Sequence, residues 1–75
     1  MQRYRNHAGN SGVIAYEAGP DSITVVFADG ATYLYTEASA GRAVIHRMKT
    51  LARAGRGLAT FIVRHARDAY ANRLR

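Results

Sequence analysis

The sequence predicts an α+β fold, a three-stranded antiparallel sheet followed by two helices packed on one face (β-β-β-α-α). Three observations carry that expectation. Residues 13–36 are dense in β-branched and aromatic side chains and are punctuated by turn residues. After Thr36 the apolar period lengthens from two to about 3.6 residues. Gly55 and Gly57 then interrupt the helical half, so it divides into two helices. At 75 residues the chain makes one small domain. Such a domain buries only ~60% of the surface its unfolded chain exposes, which leaves a thin core and little room for an enclosed active site.

Residues 1–10 mix Arg, Asn, His and Gly without periodicity and are expected to form a flexible basic tail, with the domain itself over residues 11–75. Val13-Ile14-Ala15-Tyr16 reads as the first strand, the cluster from Glu17 through Gly19-Pro20-Asp21 to Ser22 as a turn, and residues 23–28 as the second strand. Asp29-Gly30 then supplies a two-residue turn into a third strand over residues 31–36, because glycine takes the positive φ that a tight hairpin needs. With Ala28 opposite Ala31, Phe27 pairs with Thr32, Val26 with Tyr33, Val25 with Leu34 and Thr24 with Tyr35. That register places Ile23, Val25, Phe27 and Leu34 on the core face, and Thr24, Val26, Tyr33 and Tyr35 on an amphipathic opposite face. Tyr16 fits either face.

A first helix is expected over residues 40–54, with Val44, Ile45, Met48, Leu51 and Ala52 along one arc. Arg42, His46, Lys49, Arg53 and Arg56, spaced 4, 3, 4 and 3, form a second stripe away from that arc. Gly55 suits a left-handed helix end. A second helix over residues 58–72 would bury Leu58, Phe61, Ile62, His65, Ala66 and Ala69 and turn Arg64, Arg67 and Arg75 outward.

Charge is unevenly placed. Residues 1–40 carry a net −2, whereas residues 41–75 set nine cations against Asp68 alone, for a net +8. Arginine outnumbers lysine ten to one, which favours the planar, bidentate grip on phosphate or carboxylate that an ammonium lacks. Clustered positive potential points to a polyanionic partner, RNA or single strands before duplex DNA, although codon usage in a GC-rich genome enriches arginine too. Gly55-Arg56-Gly57-Leu58 either cradles an anion on free backbone N–H groups or is simply a tight turn.

Catalysis finds little in this sequence, and no enzyme is expected. There is no cysteine, hence no disulfide, thiolate zinc site or thiol nucleophile, and the serines lack a nucleophile signature. His46 and His65 lie on separate helices without metal-ligand spacing, so neither metal nor cofactor is expected. Residues 1–7 lack the apolar run of a signal peptide, and no membrane-spanning stretch follows. A cytoplasmic protein is therefore the expectation.

The run Ser11 to Tyr16, the pattern Ile23-x-Val25-x-Phe27, Gly30, Tyr33-x-Tyr35, and a helical tail with Gly57 and Phe61-Ile62-Val63-Arg64 resemble the KTSC domain over residues 11–70. That family comprises small modules found alone in bacteria or at the C-terminus of some lysyl-tRNA synthetases. The family's usual Val-Pro after Tyr-x-Tyr is replaced here by Glu37-Ala38-Ser39, and its later Ser-x-Gly by Gly55-Arg56-Gly57. The resemblance implies an RNA-binding role, the one proposed for the family, and marks Tyr33 and Tyr35 as family-typical without assigning them chemistry.

Two functional expectations follow. In the first, Arg42, His46, Lys49, Arg53, Arg56, Arg64 and Arg67 hold phosphates while Tyr33 and Tyr35 offer rings to unpaired bases. In the second, the tyrosine face is closed by the N-terminal segment or a second copy, and the arginines meet an acidic protein; the basic stripe is then an ordinary solvated helix face.

Overall fold

The computed structural model describes residues 1–6 and 12–75. Its elements are β1 (Gln2–Arg3), β2 (Val13–Ala18), β3 (Ser22–Phe27), β4 (Thr32–Thr36), α1 (Glu37–Ala40), α2 (Arg42–Ala54), α3 (Leu58–Phe61), a π-helical turn (Ile62–Ala66) and β5 (Asn72–Arg73). The strands form one antiparallel sheet in the order β1-β2-β3-β4-β5, with the helices on one face. The α+β class and antiparallel sheet are as expected, but the sheet has five strands instead of three. Among the described residues no helix is long and apolar enough to cross a membrane.

Both extra strands come from the chain ends, and each protects an edge of the three-stranded meander. Tyr4 N–H donates to the Ile14 carbonyl at 2.9 Å, and on the far side Leu74 N–H donates to Thr32 O and Ala71 N–H to Leu34 O, each at 2.7 Å. Backbone groups of β2 and β4 that would otherwise be left unpaired are satisfied in this way. The new edges are only two residues long and carry Arg3 and Arg73, both unfavourable for further strand addition. The expected flexible tail is thus corrected for residues 2–4: Tyr4 is buried in the core, where its hydroxyl accepts the Leu58 N–H at 3.3 Å. Residues 7–10 of that tail, and Ser11, lie outside the described residues.

The β3–β4 hairpin is closed differently from the expected two-residue turn. Phe27 N–H donates to Ala31 O at 2.8 Å and Gly30 N–H to Phe27 O at 2.9 Å, so the loop is Ala28-Asp29-Gly30. Gly30 has φ 91°, the positive value that a three-residue turn-and-bulge loop demands, and Asp29 Oδ1 accepts the Ala31 N–H at 3.0 Å. The register moves by one residue: Val26 opposes Thr32, Val25 opposes Tyr33, Thr24 opposes Leu34 and Ile23 opposes Tyr35. Because side chains alternate, that slip exchanges the faces of β4. Tyr33 and Tyr35 join Ile23, Val25 and Phe27 on the helix side, and Leu34 joins Thr24 and Val26 on the open side. A bulge between Val13 and Ala15 settles Tyr16 likewise, since the extra residue lets Val13 and Tyr16 both reach the core.

The helical half begins with a reciprocal cap. Thr36 Oγ1 accepts the Ser39 N–H and Ser39 Oγ accepts the Thr36 N–H, each at 3.0 Å, which starts the single turn α1 before Gly41. In α2 the apolar arc is as expected, with Ile45, Met48 and Ala52 buried and Val44 and Leu51 half-buried. Gly55 ends the helix in the left-handed conformation, its N–H shared between Leu51 O and Ala52 O. The second expected helix stops short. After Leu58, Ile62 and Ala66 are buried, the turn widens and the chain leaves for β5, so residues 67–72 are not helical and His65 is exposed rather than buried. The alternative to a longer helix is the Ala71 hydrogen bond to β4 and a Tyr70 ring packed on Tyr33 and Tyr35. Tyr4, Val13, Tyr16, Ile23, Val25 and Tyr35 from the sheet side meet Ile45, Met48, Ala52, Leu58, Ile62 and Ala66 from the helices in one core.

Candidate nucleic-acid interface

Helix α2 holds Arg42, His46 and Arg53 at 4- and 7-residue spacing along one flank, all exposed, and Arg56 continues the row in the turn that follows. Arg64 in the π-helical turn and Arg67 just beyond it are exposed as well, as is Arg47 on α2. Lys49 shares the row but is differently employed. Its ammonium donates to the Gly19 and Pro20 carbonyls at 2.5 and 3.1 Å, so it ties α2 to the β2–β3 turn.

Neutralisation is slight. Among the described residues the one ion pair joins the Met1 amino group to Glu17 Oε1 at 3.9 Å. Arg53 lines a cleft with Met1, Gln2, Tyr16, Glu17 and Ala18, and the Glu17 carboxylate in that cleft faces the Met1 amino group. Arg42, Arg47, Arg53, Arg56, Arg64 and Arg67 are therefore six exposed guanidinium groups without a carboxylate partner among the described residues. The two glycines of the Gly55-Arg56-Gly57 turn both have positive φ, 75° and 78°, but the helix after them has only four residues. That geometry is a tight reversal that displays Arg56.

The tyrosines separate. Tyr35 is 2% exposed, and burial, followed by the neighbouring phenols of Tyr33 and Tyr70, pushes its pKa up to about 12. No ring face of Tyr35 is open to a base, so the expected pair of stacking phenols is corrected to Tyr33 alone, which is half-buried. Tyr33 sits at the centre of an aromatic row: Phe27 meets it edge-on at 5.8 Å, Tyr70 lies 4.8 Å away at 56°, and the Arg73 guanidinium lies over its ring at 5.4 Å. Tyr70 and Arg73 are absent from the sequence-based expectation. The sequence carries no separate signal for Tyr70, which falls four residues after Ala66 and eight after Ile62 and so reads as a continuation of the second expected helix. His65, expected on that arc, instead stacks its imidazole on Phe61 at 4.9 Å from the outside.

No family model, curated protein or solved structure matches this chain.

Proposed function

We propose that this chain is a KTSC-like binding module for RNA, gripping the phosphate backbone with the arginines of α2 and the turns that follow it. One observation carries the reading: six exposed guanidinium groups, from Arg42 to Arg67, stand on consecutive elements without carboxylate partners among the described residues. Exposed arginines in water gain little from one another, whereas a polyanion that displaces counterions from its own backbone gains substantially by meeting several at once. The arginine contacts go to phosphates and position a strand without reading its sequence.

Titration of an unstructured RNA oligonucleotide at rising salt tests this. For four to six phosphate contacts, log K should fall against log salt with a slope of roughly −3 to −4. No binding at low salt sinks the proposal. Arg53→Glu combined with Arg56→Glu should abolish retention on heparin, while unchanged elution moves the contact surface to Arg64 and Arg67.

A second reading, self-association, is favoured by the sheet face away from the helices. Val26, Thr32 and Leu74 line one cleft there with Met1, Asp29, Arg73 and Arg75, and Leu74 is 51% exposed. Sedimentation of the protein alone tests this second reading, a monomer overturning it; because a dimer through this face leaves the arginines free, the RNA titration tests the first reading separately.

A further inference from the structure

We infer that the open cavity at the β3–β4 hairpin end is a nucleobase site, in which an unpaired base stacks on Phe27, beside the perpendicular Tyr33 ring, and offers an amine edge to Asp29. The inference rests on the RNA reading above and adds a site that the arginines do not supply.

The cavity has a volume of about 470 Å3 and is lined, among the described residues, by Gly12, Phe27, Ala28, Asp29, Ala31 and Tyr33. That falls within the ~300–1,000 Å3 range of small-ligand clefts. Phe27 and Tyr33 lie on the helix side of the sheet, and both are half-buried. Their rings are fixed before any ligand arrives: they meet edge-on at 5.8 Å, and Tyr33 is braced from its other side by Tyr70 at 4.8 Å. Ring walls whose rotamers are already set lose little entropy when a base stacks, and single-stranded RNA offers bases with both faces free. The Arg73 guanidinium over Tyr33 at 5.4 Å supplies a cation beside the same rings for the phosphate that follows the base.

Asp29 would repel a phosphate, so its presence selects for the base itself. Its Oδ1 accepts the Ala31 N–H at 3.0 Å, and exposed Asp29 is one of the residues that line the cavity. A carboxylate only accepts hydrogen bonds at neutral pH, which suits the N4 amine of cytosine and disfavours the O4 carbonyl that uracil presents at the same place. Gly12 is the lining residue without a side chain, and a Cβ there would stand 3.8 Å from Phe27 Cδ1, an ordinary contact, so a larger side chain at this position is expected to narrow the cavity.

The test compares binding of oligocytidylate and oligouridylate of about ten nucleotides with inorganic polyphosphate of similar charge. The unaltered protein should bind oligocytidylate about tenfold tighter than polyphosphate, the gain from one stacked base, and severalfold tighter than oligouridylate. Gly12→Leu should reduce oligocytidylate affinity to the polyphosphate level and leave polyphosphate binding unchanged. Asp29→Asn should erase the preference for cytosine over uracil and keep the margin over polyphosphate. Equal affinity of the unaltered protein for all three polymers overturns the base site while leaving the arginine reading intact; failure of all three to bind overturns the arginine reading itself. Should Gly12→Leu fail to fold, the ring-proton resonances of Phe27 and Tyr33 in the unaltered protein decide: they shift with oligocytidylate and not with polyphosphate if bases stack there, and identical responses to both overturn the site.

Discussion

The tyrosine strand and the arginine stripe are the two regions of this chain whose composition suggests a surface, and folding treats them oppositely. Tyr33 and Tyr35 turn toward the helices, and Tyr35 is almost wholly enclosed by the core; the arginines of α2 and its successors stay in water. The cause lies in the cost of the alternatives. A phenol can be buried with its polar tip still near solvent, and its ring is worth several kcal/mol of apolar contact. A guanidinium is charged at every pH at which the protein folds, so burying one without a partner is prohibitive. A domain of 75 residues with few large aliphatic side chains therefore recruits its tyrosines to the core and leaves its cations outside.

The comparison breaks most visibly at Tyr35. Tyr35→Ala removes a ring enclosed by Ile23, Tyr33 and Tyr70, and truncations of large buried aromatics cost about 3–5 kcal/mol, enough to unfold a domain of this size. Thermal or urea unfolding measures it; a loss under about 1 kcal/mol would return Tyr35 to the surface and restore it as a stacking residue.

Alkaline pH attacks the same side chain by charge. Its phenol has a folded-state pKa of about 12, above the ordinary value of 10.0, because burial disfavours the phenolate. From pH 10 upward the unfolded chain releases this proton while the folded chain retains it, so the unfolded state gains. The stability contributed below pH 10 is lost as pH climbs toward 12, on the order of 2 kcal/mol in all. Urea midpoints measured across that window should fall, and Tyr35→Phe should flatten this part of the decline; identical slopes for both proteins would remove the burial argument.

How far these regions were legible in the sequence follows from the period that each obeys. The α2 arc and its basic stripe were readable because thirteen residues at 3.6 per turn define a face several times over, and no single boundary error moves Ile45 or Arg53 to the other side. The strand face was not, because the period of two makes every assignment hang on one turn. Asp29-Gly30 is equally the whole of a two-residue loop or the last two residues of Ala28-Asp29-Gly30, and that choice alone sends Tyr33 and Tyr35 inward or outward. The edge strands were out of reach, since two residues carry no periodicity and Gln2–Arg3 and Asn72–Arg73 become strands only because β2 and β4 have unpaired edges to cover.

The finest contrast lies inside the stripe, between Lys49 and Arg53, four residues apart on α2. The sequence presents them as equivalent cations, but the structure gives the Lys49 ammonium to two carbonyls of the β2–β3 turn and leaves Arg53 without a carboxylate partner among the described residues. Lys49→Met keeps most of the apolar stem and deletes the charged donor, so it should cost about 1 kcal/mol of stability, the scale of a partly exposed hydrogen bond to a charged group. The salt slope of RNA binding should barely change, because that cation is already engaged. Arg53→Met should do the reverse, leaving stability within about 0.5 kcal/mol and lowering the slope by about 0.7, one phosphate contact on a single strand. Paired unfolding and salt-titration experiments on the two variants separate a strut from a phosphate ligand: equal slopes would mean that the turn carbonyls release Lys49 to RNA, and a large stability loss at Arg53 would mean that the stripe supports the fold as much as it meets a partner.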